Sequence, residues 1–125
     1  MLITVNSKSK IPIFKQLIDG IKTLIASGEI MPGSQLPSIR ELAVNLRLNP
    51  NTVARAYKQL ELEGFVETKR GIGVFVKSIG KESINMLKSK ILEEKILDVI
   101  RMAKQFNISK EELINKINKK FREEL

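Results

Sequence analysis

The chain has 125 residues, of which 42% are hydrophobic and 29% charged, with 22 Lys and Arg against 14 Asp and Glu. This length allows one domain, or a small domain with an appendage, and the apolar content is sufficient for a buried core. Because the sequence has neither Cys nor His, it excludes disulfides, typical zinc sites, thiol nucleophiles and imidazole bases. Asp19 and Asp98 fall on separate predicted helices, so we expect no enzyme, no metal site and no cofactor.

The net charge of +8 favours an anionic partner, nucleic acid ahead of a membrane surface. Residues 1–77 carry a net charge of +5 from 11 cations and 6 anions, and the remaining residues carry +3 from 11 and 8. No segment approaches the roughly 18 apolar residues of a membrane span, and the N-terminus lacks the apolar core of a targeting signal. We therefore expect a cytoplasmic protein with no membrane partner.

Three helices are predicted in the N-terminal part. The first begins at Pro12 and ends before Gly28, with apolar residues at spacings of three and four at Phe14, Leu17, Ile18, Ile21, Leu24 and Ile25. A loop with two prolines and a glycine occupies residues 31–37. Ser38 and Glu41 then form an S-x-x-E capping box that starts a short second helix.

A turn around Arg47 leads to the third helix, in which Asn49 is the cap and Pro50 occupies the first turn. This helix is predicted to end at Gly64, which suits a left-handed cap. Two short helices joined by a tight turn and packed on a longer first helix are typical of a helix-turn-helix.

The sequence period changes to two after Gly64, which predicts a β-hairpin with strands near Phe65–Glu67 and Val74–Val76. Its tip, residues 69–73, combines two cations with two glycines that can adopt positive φ. Residues 2–5 are predicted to add a short strand. A domain of residues 1–78 made of three helices and this hairpin matches a winged helix-turn-helix.

The segment of residues 79–125 is predicted to contain two helices. One of about 25 residues follows Gly80 and ends at Phe106 and Asn107, and the other starts at a second capping box of Ser109 and Glu112. Two helices alone cannot cover their apolar stripes, so we predict that this segment pairs across a two-fold axis. The alternative is packing of the tail onto its own winged domain. The predicted dimerisation residues are Ile84, Leu87, Ile91, Leu92, Ile96, Val99, Leu113, Ile117 and Phe121.

The outward face of the third helix carries side chains suited to a DNA major groove. Arg and Asn can make bidentate hydrogen bonds to base edges, Thr can contact a thymine methyl group, and Lys can neutralise a phosphate. Arg40 lies where the first turn of the second helix can approach a phosphate. The outward face of the third helix consists of Asn51, Thr52, Arg55, Lys58 and Gln59. The further candidates are Arg40 at the start of the second helix and Lys69, Arg70 and Gly71 in the hairpin tip. The alternatives are an ordinary solvated face for the third helix, a surface ion pair for Arg40 and a plain tight hairpin for the tip.

The sequence resembles the N-terminal domain of GntR-type bacterial transcription regulators over about residues 8–77. The motifs that carry the resemblance are residues 32–43 (PGSQLPSIRELA), 51–53 (NTV), 60–64 (LELEG) and 70–76 (RGIGVFV). The opening at residues 12–16 (PIFKQ) and the short tail resemble the YtrA subfamily. The resemblance implies a dimer that binds palindromic operators, with DNA contacts at Ser38, Arg40, Thr52, Arg55, Arg70 and Gly71.

The sequence departs from the family in the turn between the second and third helices, where Arg47 replaces a common Gly. Either this turn avoids positive φ, or Arg47 adopts it at a cost of roughly 1 kcal/mol. Arg47 is also a candidate phosphate contact. The sequence thus predicts a homodimeric, sequence-specific regulator that binds double-stranded DNA and represses transcription, with any small-molecule effector unknown. The alternative is a winged-helix module for protein-protein contact without DNA binding.

Overall fold

The computed structural model describes residues 3–124, which are mainly helical with one small β-hairpin. The helices and strands follow the predicted order closely. They are α1 (Ile13–Ser27), α2 (Ile39–Leu46), α3 (Pro50–Leu62), β1 (Val66–Lys69), β2 (Gly73–Val76), α4 (Lys81–Gln105) and α5 (Lys110–Glu123). The chain divides into two compact units, Met1–Lys88 and Ser89–Leu125, so the boundary between them falls inside α4.

Polar side chains cap the starts of three helices, as the sequence predicts. The Ser38 hydroxyl accepts a hydrogen bond from the Glu41 amide at 3.0 Å, and the Ser38 amide donates to the Glu41 carboxylate at 3.4 Å, which completes the capping box of α2. Asn49 caps α3 by accepting from the Asn51 amide at 2.9 Å. At the start of α5 the Ser109 hydroxyl accepts from the Glu112 amide at 3.1 Å.

Three helix ends use one backbone motif with three different residues in the left-handed conformation. Arg47 follows α2 with φ 57°, Gly64 follows α3 with φ 86°, and Asn107 follows α4 with φ 56°. In each case the next amide donates to the carbonyl five residues back: Leu48 to Ala43 at 2.8 Å, Phe65 to Leu60 at 2.9 Å, and Ile108 to Ala103 at 2.8 Å. The predicted left-handed cap at Gly64 is confirmed, and the open question about Arg47 is resolved in favour of positive φ.

The core of the first unit lies between α1, α2, α3 and the hairpin. Leu17, Ile21, Val53, Ala56 and Leu60 have no solvent-exposed surface. Apolar burial of this kind is the main stabilising contribution to a small domain.

Tyr57 brings a polar group into this core, where its hydroxyl donates to the Pro37 carbonyl at 2.6 Å. Burial raises the pKa of the Tyr57 phenol well above its usual value, so the phenol stays protonated as a donor. The bond fixes the loop before α2 against α3.

The hairpin pairs Val66 with Val76 and Lys69 with Gly73 in antiparallel register. Its strands extend further than the sequence predicts, so the tip shrinks to residues 70–72 and Lys69 belongs to β1. The loop of residues 33–36 also bonds to β2, with Leu36 donating to the Val74 carbonyl at 2.8 Å. The Val76 amide donates to the Ser34 carbonyl at 2.9 Å, which widens the base of the wing.

The predicted strand at residues 2–5 is wrong for the residues that the structure describes, and Leu2 lies outside them. Residues 3–5 have no regular secondary structure. Ile3 is buried, and its side chain lies next to Gly20 of α1. The apolar alternation therefore reflects the packing of an irregular segment on a helix, which needs no strand partner.

The second unit contains the C-terminal part of α4 and all of α5. Large apolar side chains on both helices are exposed in the single chain, among them Leu92, Ile96, Val99, Ile117 and Phe121. Among residues 3–124, no helix is both long and apolar enough to cross a membrane.

Candidate nucleic-acid interface

Helix α3 buries one face and exposes the opposite one. Val53, Ala56, Tyr57 and Leu60 face the core. The predicted contact residues Asn51, Arg55 and Lys58 are exposed and Thr52 is half-buried. Because the buried stripe is anchored on α1, the polar face is presented on a rigid element rather than on a loop.

The Arg55 guanidinium stacks on the Phe14 ring of α1, with the guanidinium carbon 3.7 Å from the ring centroid. Phe14 is half-buried and packs against the core. A guanidinium stacked on an aromatic face keeps its N–H edges free for hydrogen bonds in its own plane. Arg55 is therefore held in place while its donors remain available.

The predicted contacts on α2 lie at its two ends. Ser38 and Arg40 belong to the start of the helix and are exposed, at the end where the helix dipole attracts an anion. Arg47 follows the last turn, is exposed, and has backbone angles φ 57° and ψ 47°. The turn that joins α2 to α3 thus exposes a cation.

The wing tip places Arg70 and Gly71 in an exposed turn in which the Ile72 amide donates to the Lys69 carbonyl at 2.9 Å. Gly71 has φ 77°, a conformation that L side chains rarely adopt. The Lys69 ammonium lies 4.7 Å from the Phe75 ring centroid and 3.9 Å from the Glu67 carboxylate. Its charge is partly engaged within the hairpin, unlike that of Arg70.

Two side chains brace the wing against the rest of the domain. Gln35 donates from its amide nitrogen to the Ile72 carbonyl at 3.1 Å. A Cβ atom on Gly73 would lie 2.4 Å from that same amide nitrogen, so a side chain at this position would displace Gln35.

The second brace is Glu61 of α3, whose carboxylate accepts from the Thr68 amide of β1 at 2.8 Å. This hydrogen bond is the main reason that the pKa of Glu61 lies below its ordinary value. The ionised carboxylate joins α3 to the wing.

Most of the candidate cations make no close ion pair with a carboxylate of the described residues. Within the part of the chain that the structure describes, the ion pairs involve Lys22, Lys69, Arg101 and Lys120 and leave out Arg40, Arg47, Arg55, Lys58 and Arg70. Surface cations without carboxylate partners are available to neutralise phosphates.

The predicted dimerisation residues divide between the two units. Ile84 packs against the core of the first unit and Leu87 is only 8% exposed. Ile84 is partly covered and Leu87 almost wholly covered within the chain itself, so the exposed members are the ones available to a second copy. Ile91 and Leu113 are half-buried, and the exposed members are Leu92, Ile96, Val99, Ile117 and Phe121.

The structure also brings together residues that the sequence patterns do not reveal. Phe14, Gln35 and Glu61 support the candidate surface through contacts with Arg55, Ile72 and Thr68. Phe14 and Gln35 appear in the sequence only as part of an apolar stripe and a loop. No local spacing rule detects a contact between residues 41 or 37 positions apart.

Comparisons with known proteins agree with this architecture. Residues 14–76 match the family model described as bacterial regulatory proteins, gntR family. The chain is 38% identical to the HTH-type transcriptional repressor YtrA of Bacillus subtilis, over 90% of this chain and 86% of that protein. A GntR family transcriptional regulator from Listeria monocytogenes superposes with a TM-score of 0.77 and 33% identity, over 92% of this chain and 98% of that one.

A further solved structure, AraR(DBD) in complex with operator ORE1, has a TM-score of 0.52 and 25% identity. This match covers 61% of the present chain and 93% of the AraR domain.

The three helices, the hairpin and the exposed face of α3 define a winged helix-turn-helix protein. The chain belongs to the GntR family of bacterial regulatory proteins and is YtrA-like. The predicted fold class and the resemblance are therefore confirmed. The family and these relatives are transcriptional regulators rather than enzymes.

Proposed function

We propose that this protein is a transcriptional repressor that binds a palindromic operator in double-stranded DNA as a homodimer. The observation that carries the proposal is the exposed polar face of α3, anchored by a fully buried opposite face on a winged-helix body. An α-helix fits the major groove of B-DNA, and Asn and Arg are side chains that discriminate between base edges there.

Residues 1–78 act as the DNA-binding domain in this proposal. Arg55, Asn51 and Thr52 read bases from α3, and the remaining contacts hold the phosphate backbone. The backbone contacts are Ser38, Arg40, Arg47, Lys58, Lys69, Arg70 and Gly71. Relatives support this assignment, since the AraR domain was solved with an operator and the B. subtilis relative is named a repressor.

Residues 79–125 contribute the dimer interface, with its apolar contacts beyond Lys88. Leu92, Ile96, Val99, Ile117 and Phe121 are each at least 45% exposed in the single chain. Clusters of large exposed apolar residues mark interaction surfaces, and a two-fold axis lets one such surface cover its own copy. The same axis would present two copies of α3 to successive major grooves.

Selection of bound duplexes from a random pool tests the proposal directly. We expect the full-length protein to enrich an inverted repeat whose half-sites are about one helical turn apart. Enrichment of a single half-site would contradict the dimer, and enrichment of no sequence would contradict specific recognition.

A salt titration separates DNA binding from the rival role in protein-protein contact. A DNA-binding surface with several unpaired cations should lose duplex affinity steeply as salt concentration rises. Absence of any duplex binding at low salt would favour the rival role.

A further inference from the structure

We propose that Phe14 is a positioning residue that determines how sharply Arg55 discriminates between bases. This inference rests on the proposed function, because it assigns a role within the same DNA-binding surface. It comes from the stacking of the Arg55 guanidinium on the Phe14 ring at 3.7 Å.

Phe14 is well placed to hold a side chain of α3. It lies in the first turn of α1, close in the helix to Leu17 and Ile18, which are 0% and 6% exposed. The ring itself packs against the core and is half-buried. Its position is therefore set by the core, while its face meets Arg55.

The segment before α1 is fixed as well. The Gln16 side chain accepts from the Asn6 amide at 2.8 Å and donates to the carbonyls of Asn6 and Ile11 at 3.0 and 2.9 Å. These three bonds tie the residues before α1 to its first turn. The turn that carries Phe14 is thus held from both sides.

Stacking on Phe14 restricts the rotamers of a long side chain before DNA arrives. A free Arg side chain has considerable rotamer entropy, and a pre-organised guanidinium loses less of it for each hydrogen bond formed. Restriction in one plane also fixes the direction of its donors, which favours one base edge over the others. Loss of the ring should therefore reduce discrimination more than it reduces nonspecific affinity.

The experiment uses the full-length protein, its selected operator, and operators changed at one base pair. Arg55→Ala first identifies the base pair at which discrimination depends on Arg55. At that base pair we expect Phe14→Leu to lower discrimination about two- to fivefold, the range expected for one exposed cation-π contact. Phe14→Tyr keeps the aromatic face and should retain discrimination.

Phe65→Leu is the matched control, since Phe65 is also half-buried against the core and its ring centroid lies 5.3 Å from the Lys22 ammonium. It should lower thermal stability without changing discrimination at the Arg55 base pair. In an Arg55→Ala background, Phe14→Leu should have no further effect on discrimination. NMR of the free protein supplies a readout independent of DNA, because the Arg55 side-chain protons should shift upfield under the ring and return in Phe14→Leu.

Three results would overturn the inference. The first is that Phe14→Leu retains full discrimination. The second is that Phe14→Leu weakens binding to all duplexes equally, as a purely structural change would. The third is that Arg55→Ala leaves discrimination unchanged. Failure of the proposed function is distinguishable from failure of this inference. In that case the wild-type protein itself would bind no duplex specifically, before any variant is compared.

Discussion

Arg55 carries the sharpest prediction at the scale of single residues, because it projects from the exposed face of α3. We expect Arg55→Ala to lower operator affinity by about 1–3 kcal/mol and to relax the preference at one base pair. Competition binding with operator and random duplexes measures both effects. Equal losses on the two duplexes would show that Arg55 contacts only the backbone.

Arg70 in the wing tip should behave differently, since it is exposed and makes no ion pair within residues 3–124. We expect Arg70→Ala to weaken binding to all duplexes and to reduce the log-log salt slope by about one. Arg122→Ala removes the same charge from an exposed position in α5 and should leave the slope unchanged. An equal change in both variants would mean that the wing makes no local contact.

Arg47 has a backbone conformation that suits its side chain poorly, with φ 57° at the end of α2. We expect Arg47→Gly to raise the free energy of unfolding by about 0.5–1 kcal/mol, because relief of the left-handed strain exceeds the entropic cost of glycine. Arg40→Gly, in the right-handed first turn of α2, should lower the free energy of unfolding by a similar amount. Thermal unfolding of both variants checks that the two changes in the free energy of unfolding have opposite signs. If both substitutions lowered the stability, backbone strain at Arg47 would be contradicted.

The duplex affinity of Arg47→Gly bears on function separately from stability. A variant that is more stable but binds DNA more weakly would assign the Arg47 charge to a phosphate. Unchanged affinity would leave Arg47 with no role on DNA.

At the scale of elements, the bond from the Thr68 amide to the Glu61 carboxylate joins α3 to β1. Because the pKa of Glu61 is lower in the folded state, the ionised carboxylate stabilises the fold fully at pH values above its ordinary pKa of 4.5. This contribution is lost as the pH falls through the lowered pKa. We expect Glu61→Gln to be less stable than the wild type at neutral pH, with the difference shrinking in acid.

Thermal unfolding across a pH series measures this difference, with Glu67→Gln as the control. Glu67 is an exposed carboxylate on β1 that accepts no backbone amide among the hydrogen bonds of the described residues, and its ion pair with Lys69 at 3.9 Å is exposed to solvent and therefore weak. Its variant should show no comparable pH-dependent gap. A Glu61→Gln gap that stayed constant with pH would mean that the charge of Glu61 does not contribute.

For the molecule as a whole, the proposed dimer would bind both half-sites of a palindromic operator at once. Ile117 in α5 is 45% exposed in the single chain. We expect Ile117→Asp to sediment as a monomer, because a buried unpaired carboxylate is costly in an apolar interface. Its affinity for the full palindrome should fall about 100-fold through loss of effective concentration, while half-site affinity stays nearly unchanged.

Asn115→Asp adds the same charge to a neighbouring exposed position of α5 and should remain dimeric. If Ile117→Asp also stays dimeric with full operator affinity, the apolar surface of the tail is not the interface.

Most of the secondary structure can be predicted from the amino-acid sequence, because the signals for it are local. Each signal lies within one helical turn of the helix end that it predicts. The start of α2 is marked by Ser38 and Glu41, the start of α3 by Asn49 and Pro50, and the end of α3 by Gly64. The spacing of apolar residues likewise separates the buried face of α3 from its exposed face. Such patterns depend on helix geometry alone and can be read without a partner element.

The contacts that support the candidate surface depend on tertiary packing and could not be predicted from the sequence. The Phe14–Arg55 stack and the Gln35–Ile72 bond join residues far apart in sequence, and Ile3 packs on α1 where a strand is predicted. Arg47 adopts positive φ because the backbone bonds that end α2 require it, whichever side chain is present. These features arise from packing between elements, whose free energy depends on which surfaces meet and is absent from any local pattern.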